Sequence, residues 1–87
     1  MSKALYAAAM IGKDAEEFIA SDMGRYLIGC ADQEIYAAME NLKRVHPWRT
    51  RRIRELQNEI WRAESFKSWL AELVVGGIQA LQTLEED

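Results

Sequence analysis

Pro47 is the only proline in the chain, and it divides a sequence that otherwise has helical periodicity. A proline disfavours helix in the residue before it but suits the first turn of a helix that follows. The pair His46-Pro47 therefore predicts that one helix ends and another begins at this point.

Apolar residues on both sides of Pro47 recur every three or four positions, which is the period of one helix face. Upstream they are Leu27, Ala31, Ile35, Ala38, Leu42 and Val45. Downstream they are Ile53, Leu56, Ile60, Ala63, Leu70, Leu73 or Val74, Leu81 and Leu84. Helices joined by a short connection are antiparallel neighbours. We therefore predict an all-α fold built on an antiparallel helical hairpin of residues about 22–45 and 48–84.

The N-terminal part of the chain predicts shorter helices. Residues 4–11 have helical character, and Gly12 after them is a helix stop signal. Asp14 and Glu17 have the spacing of a capping box, which predicts the start of a second short helix. Ser21 then suits the N-cap of the first long helix. The sequence thus predicts one or two short N-terminal helices packed on the hairpin.

The two predicted long helices differ in length, so the second has no partner in the first after about Leu73. This overhang is about 18 Å long at 1.5 Å per residue, and the N-terminal segment or another chain must cover its apolar side chains. It contains Gly76-Gly77, which either permits a close approach of two backbones or marks a bend or stop. With 87 residues, the chain 1–87 is predicted to be a single helical domain.

Composition limits the class of protein. Apolar residues make up 49% and charged residues 29% of the chain, as in a globular protein. The single cysteine, Cys30, cannot form an intramolecular disulfide, which favours a reducing compartment. Because Cys30 lies beside Ala31 on the apolar stripe, we expect it to be a small core residue. No segment approaches the roughly 20 apolar residues of a membrane span, so no membrane contact is predicted.

Positive charge is concentrated around the predicted turn. Residues 43–54 contain six of the eleven Lys and Arg residues and no acidic residue, although the chain has a net charge of −3. Lys43 and Arg44 fall in the last turn of the first helix, where the helix dipole favours cations. The arginines after Pro47 fall in the first turns of the second helix, where each cation costs about 0.3–1 kcal/mol. A cluster that costs stability is more readily explained by binding than one that does not.

We name this end of the hairpin the basic tip. It comprises Lys43, Arg44, His46, Trp48, Arg49, Arg51, Arg52 and Arg54. Arginine and tryptophan together suit phosphate contact, base stacking or an acidic protein surface. Three interpretations stay open: a solvated hairpin end, a nucleic-acid contact and a contact with an acidic protein.

Large aromatic residues of the second helix predict a further surface. Trp61 and Trp69 lie beside the apolar stripe and not on it, about 80° apart on a helical projection. Either the N-terminal segment buries this side of the helix, or the aromatics form a self-association surface, where such residues are enriched. The candidate self-association residues are Trp61, Phe66, Trp69, Val75 and Ile78. We expect a homo-oligomer.

The sequence contains no pattern typical of catalysis. His46 is the only histidine, and no cysteine or carboxylate stands at metal-ligand spacing from it. Glu55 and Glu59 are four residues apart, but arginines flank them at three- and four-residue spacing, which indicates surface ion pairs. The sequence therefore predicts a protein that is not an enzyme and has no cofactor, metal site or small-molecule substrate.

Three runs of the sequence carry a resemblance to known proteins. They are residues 12–19 (GKDAEEFI), residues 21–27 (SDMGRYL) and residues 53–66 (IRELQNEIWRAESF), the last followed by Trp69-Leu70. Together they cover 31 of the 87 residues, and they resemble small all-helical proteins of unassigned function encoded by tailed bacteriophages and prophages. The basic tip departs from that resemblance, which leads us to expect a turn richer in acidic residues.

The resemblance implies a biological setting and no functional residue. It implies a non-enzymatic protein in the cytoplasm of the infected bacterium, or one associated with the virion. The leading expectation is an accessory role in particle assembly or DNA packaging, with the basic tip contacting nucleic acid or an acidic partner. The alternative is an inhibitor that binds and blocks a host or anti-phage defence protein.

Overall fold

Three α-helices form nearly all of the part of the chain that the computed structural model describes, residues 2–86. They are α1 (Lys3–Ala20), α2 (Asp22–Arg44) and α3 (Thr50–Glu86). Residues 2–86 contain no strand, so the all-α fold predicted from the sequence is confirmed. The molecule measures 57 × 26 × 15 Å, and α3, with 37 residues, spans almost all of its length.

The N-terminal segment is one continuous helix of 18 residues, α1. It begins after Ser2, whose hydroxyl oxygen accepts a hydrogen bond from the backbone N–H of Leu5 at 3.3 Å. The predicted helix stop at Gly12 and the predicted second start at Asp14 are therefore wrong. Gly12 lies inside the helix and is buried against α3, so a packing requirement explains this glycine.

A single residue, Ser21, separates α1 from α2. Its backbone is extended (φ −74°, ψ 161°), and its hydroxyl oxygen accepts a hydrogen bond from the backbone N–H of Gly24 at 3.0 Å. The backbone N–H of Ser21 donates to the carbonyl of Phe18 at 3.0 Å, which closes the end of α1. The predicted N-cap is confirmed. One serine ends one helix and begins the next.

Helices α2 and α3 lie side by side and antiparallel, with ends within two residues of the predicted hairpin. An ion pair between Asp32 and Lys67 joins them, and Leu27 of α2 shares a groove with Phe66 of α3. Small residues seven positions apart, buried Ala31 and Ala38, lie on the side of α2 that faces α3, as in a coiled-coil seam. Gly24, which is also buried, packs against the backbone of Phe18 and Ile19 at the end of α1.

Helix α1 covers the overhang of α3 and also runs antiparallel to it. The two backbones touch: a Cβ atom added to Gly12 would lie 2.6 Å from the Cα atom of Gly77. One added to Gly77 would lie 3.2 Å from the carbonyl oxygen of Ala8. Helix α3 continues without a break through both glycines. Of the two alternatives for Gly76-Gly77, close backbone approach is therefore correct, and Gly77 is the residue that permits it.

The core is small. Leu56 is the only large side chain that is fully buried among the described residues, and the other buried apolar residues are alanines. Cys30 is exposed, so the expectation that it is a core residue is wrong. Ala31, the next residue, occupies the seam, and a helix turn of about 100° per residue carries Cys30 to its edge.

Candidate functional site

The basic tip is a tight connection between α2 and α3. The backbone N–H of Val45 donates to the carbonyl of Asn41 at 3.1 Å and ends α2. The N–H of Arg49 donates to the carbonyl of His46 at 3.0 Å, which closes the turn around Pro47. Because α3 begins only at Thr50, Trp48 and Arg49 belong to this turn.

An aromatic stack forms at the outer end of the turn. The rings of His46 and Trp48 are 4.6 Å apart and nearly parallel, with an angle of 8° between their planes. Trp48 is 74% exposed, so the stack presents a flat surface to the solvent. The sequence identified both residues as candidates, but the pairing depends on the turn around Pro47 and was not predicted. Such a surface can stack on a nucleic-acid base or pack against a protein.

Two cations of the basic tip form ion pairs. Lys43 lies 2.9 Å from a carboxylate oxygen of Glu40, and Arg52 lies 3.3 Å from one of Glu55. The hydrogen bond from Lys43 and its charge, with a smaller effect of the Arg44 charge, hold the pKa of Glu40 below its usual value. Both pairs are local, joining residues three positions apart on one helix.

The other arginines of the basic tip have no such partner. Within residues 2–86, no ion pair involves Arg44, Arg49, Arg51 or Arg54, and all four are exposed. The first turn of α3 contains no acidic residue to offset its positive helix end. The structure therefore brings together four arginines without ion pairs and a helix N-terminus at one end of the molecule. This arrangement favours the binding of an anion.

Among the described residues, two apolar grooves lie between helices and away from the basic tip. The central groove, about 250 Å³ in volume, lies between α2 and α3 and is lined by Leu27, Cys30, Ala31, Glu34, Arg62, Ala63 and Phe66. The terminal groove, about 480 Å³, lies beside the contact of α1 with α3 and is lined mainly by Tyr6, Ala9, Met10, Val74, Ile78, Leu81 and Leu84. Sequence reasoning missed the terminal groove because it depends on how α1 sits on α3.

The candidate self-association residues do not share one surface. Phe66 is half-buried in the central groove, and Ile78 lines the terminal groove. Trp61 lies about 140° from Phe66 around the axis of α3 and points away from the central groove. Val75, two heptads after Trp61, lies on the same outer side of α3. Trp69, 62% exposed, lies about 60° from Phe66 and extends the wall of the central groove.

No helix within residues 2–86 is long and apolar enough to cross a membrane. The same residues contain no cluster of three or more His, Cys, Asp or Glu side chains that could hold a metal ion. Comparison of the chain with protein-family models, curated proteins and solved structures found no match.

Proposed function

We propose that this chain is a non-enzymatic accessory protein of a bacteriophage or prophage, acting in particle assembly or DNA packaging, and that its basic tip contacts nucleic acid. The observation that carries the proposal is the set of exposed arginines without ion pairs around the turn of the hairpin. The phage setting rests on the sequence resemblance alone.

The charges of the basic tip favour phosphate contact. Arg49 and Arg51 lie beside the positive end of α3, where they repel the helix dipole and each other. A polyanion at this point would relieve that repulsion, and arginine binds phosphate oxygens through two parallel hydrogen bonds. The remainder of the chain has an excess of acidic residues, which would repel the same ligand and keep the contact at the tip.

The contact should be mainly electrostatic. The arginines lie on a turn and the first turns of one helix, so they can follow a phosphate backbone without reading base edges. Affinity should be weak, independent of sequence and strongly dependent on salt, with a log–log slope of about −0.9 per phosphate neutralised on duplex DNA. The stack of Trp48 on His46 should add affinity for single strands, because unpaired bases can stack on an exposed indole.

The test is a titration of labelled duplex and single-stranded DNA at two salt concentrations. Changing Arg49, Arg51 and Arg52 together to Glu should abolish binding to both ligands. The matched control changes Lys3, Lys13 and Arg25 to Glu, which alters net charge equally but away from the tip, and it should weaken binding much less. Trp48→Ala should weaken single-strand binding more than duplex binding.

Two results would contradict the nucleic-acid contact. If the triple change at the tip had no more effect than the control, the tip would not be the binding site. If the wild type bound neither ligand at low salt, an acidic protein surface would become the favoured partner of the basic tip. That outcome would favour the alternative function, an inhibitor of a host or anti-phage defence protein. The terminal groove supports this alternative, because a folded protein partner could bury its apolar wall and DNA could not.

A further inference from the structure

The chain has far more surface than a compact protein of its mass. It exposes 6928 Å², whereas a compact 10 kDa protein exposes about 5,200 Å². Its radius of gyration is 17.7 Å, against about 12 Å for a compact domain of this length. The excess area of about 1,700 Å² is twice the roughly 800 Å² that each partner buries in a standard interface. The exposed area is therefore the area expected if these three helices form one part of a larger helical bundle.

An apolar area between α2 and α3 surrounds the central groove. Leu27 and Phe66 line the groove together with buried Ala31 and Ala63. Met23, one turn before Leu27 on α2, is 63% exposed and continues the apolar area away from the tip. On α3, Trp69 and Leu73 continue it at the i+3 and i+7 positions from Phe66. We name this area the central face: Met23, Leu27, Cys30, Phe66, Trp69 and Leu73.

The two walls of the central groove carry opposite charges. Glu34 lies on the α2 wall and Arg62 on the α3 wall, and neither is in an ion pair with another described residue. A two-fold axis along the groove would place the α2 wall of one copy over the α3 wall of the other. Glu34 would then meet Arg62 of the second copy, and the symmetry would form this pair twice. Apolar Leu27 and Met23 would meet Phe66 and Trp69 of the second copy at the same levels.

We infer that a second copy of this chain covers the central face, related by a two-fold axis parallel to the helices. The result is a bundle in which each α2 packs between two antiparallel α3 helices, and both basic tips lie at the same end. This inference does not depend on the proposed contact with nucleic acid, because it rests on the area, the apolar side chains and the groove charges. If both hold, the dimer presents its two tips to one ligand.

The first test measures mass against concentration by analytical ultracentrifugation. The wild type should be a dimer at micromolar concentration, and Trp69→Ala should raise the dissociation constant at least about tenfold, as expected for an aromatic at an interface centre. Trp61→Ala is the matched control, since Trp61 is 69% exposed and Trp69 62%, but only Trp69 belongs to the central face. A monomeric wild type would overturn the inference, and so would an equal effect of both substitutions.

A second pair of variants, both on α2, tests whether the central face forms the dimer interface. Leu27→Glu should dissociate the dimer, because it places a carboxylate in an apolar contact. Tyr36→Glu should leave it intact, since Tyr36 lies about 180° from Leu27 around α2. Circular dichroism should show the same helix content for both variants, because Leu27 is 37% and Tyr36 69% exposed. Dissociation by Tyr36→Glu but not by Leu27→Glu would place the interface on the other side of α2.

Charge exchange tests the direction of the two-fold axis. Glu34→Arg and Arg62→Glu should each weaken the dimer about tenfold, because each places two like-charged pairs in the interface. The double variant should restore the wild-type dissociation constant, since the exchanged charges meet again. Failure of this rescue would overturn the arrangement, because a two-fold axis across the helices brings α2 over α2 and leaves Glu34 and Arg62 apart.

A cross-link reports the direction independently. In a Cys30→Ala background, Thr50→Cys places one thiol at the start of α3. A short bismaleimide should join two copies, because their tips lie at the same end. In the opposite orientation the thiols would lie at opposite ends of a molecule that is 57 Å long, and no cross-link would form.

Discussion

Helix α3 packs against its two neighbours in different ways along its length. Near the basic tip it meets α2 through a side chain, Leu56, which is 0% exposed and level with buried Ala38 in the antiparallel register. Towards its C-terminal end it meets α1 through backbone, where Gly77 faces Gly12 and Ala8. One contact requires a side chain to be present, and the other requires the Cβ atom to be absent.

The difference explains where the apolar surface remains. A contact between glycines brings two helix axes close together but buries little apolar side-chain area. The larger side chains beside it, including Ile78 and Leu81, stay about half exposed and line the terminal groove. At the tip end, Leu56 fills the space between the helices, and the exposed groups include the arginines of the basic tip, Met39 and Trp48. The two halves of α3 should therefore respond oppositely to changes in side-chain size.

The largest expected effect is the removal of Leu56. Leu56→Ala should lower the free energy of unfolding by about 2–5 kcal/mol, because it leaves a cavity in the only fully buried position of a large side chain among the described residues. Leu81→Ala is the matched control on the same helix and should cost about 1 kcal/mol or less, since Leu81 is 50% exposed. Urea unfolding at one fixed protein concentration compares them. Equal losses would mean that another chain buries Leu81 as fully as α2 buries Leu56.

Adjacent glycines provide the second comparison. Gly77→Ala should destabilise the protein by about 1–3 kcal/mol, because its Cβ atom would lie 2.7 Å from the Cα atom of Gly12 and push the helices apart. Gly76→Ala should stabilise it by about 0.5–1 kcal/mol, because nothing lies within 4 Å of its Cβ position and alanine favours helix.

Thermal unfolding of the two alanine variants beside the wild type gives the signs of both effects. Gly12→Ala should behave like Gly77→Ala, because its Cβ atom would meet the same backbone from the other side at 2.6 Å. If Gly77→Ala were neutral, α1 would be held on α3 loosely enough to move away. The contrast between the two halves of α3 would then be lost.

The long helices were predictable because their signals are local. Pro47 and Ser21 mark breaks that depend on one or two residues, and the apolar period of α2 and α3 is long and regular. Gly12 was misread because a glycine at a helix end and a glycine at a helix crossing look the same in sequence. Its partner, Gly77, is far along the chain, and only the fold brings the two together.

The charge cluster of the candidate site is visible in the sequence, because its residues lie close together along the chain. The division of its cations into paired and unpaired was not predictable, because it depends on side-chain positions. The central groove was only partly predictable. Phe66 and Trp69 were candidates because large aromatics are enriched in the cores of interfaces. Glu34 and Arg62 were not, because their relation depends on the register of two helices.

The smallest expected effect concerns the charge balance at the end of α2. Glu40→Gln should lower stability slightly at neutral pH, because it removes the ion pair of Glu40 with Lys43 at 2.9 Å. In the folded protein the pKa of Glu40 is lowered, chiefly by the hydrogen bond from Lys43. The carboxylate therefore stabilises the fold above its usual pKa, and this contribution is lost as the pH falls through the lowered value.

The difference between wild type and Glu40→Gln should accordingly be present at neutral pH and vanish in acid. Urea midpoints measured across that range check the direction, with Glu64→Gln as the control because no described residue forms an ion pair with exposed Glu64. Added salt should reduce the difference, because it screens an exposed pair. A difference that persisted in acid or in high salt would show that Glu40 stabilises α2 through packing. The tip end would then be stabilised by side-chain contacts in addition to those of Leu56. The Glu40–Lys43 ion pair would contribute less to the free energy of unfolding than its geometry indicates.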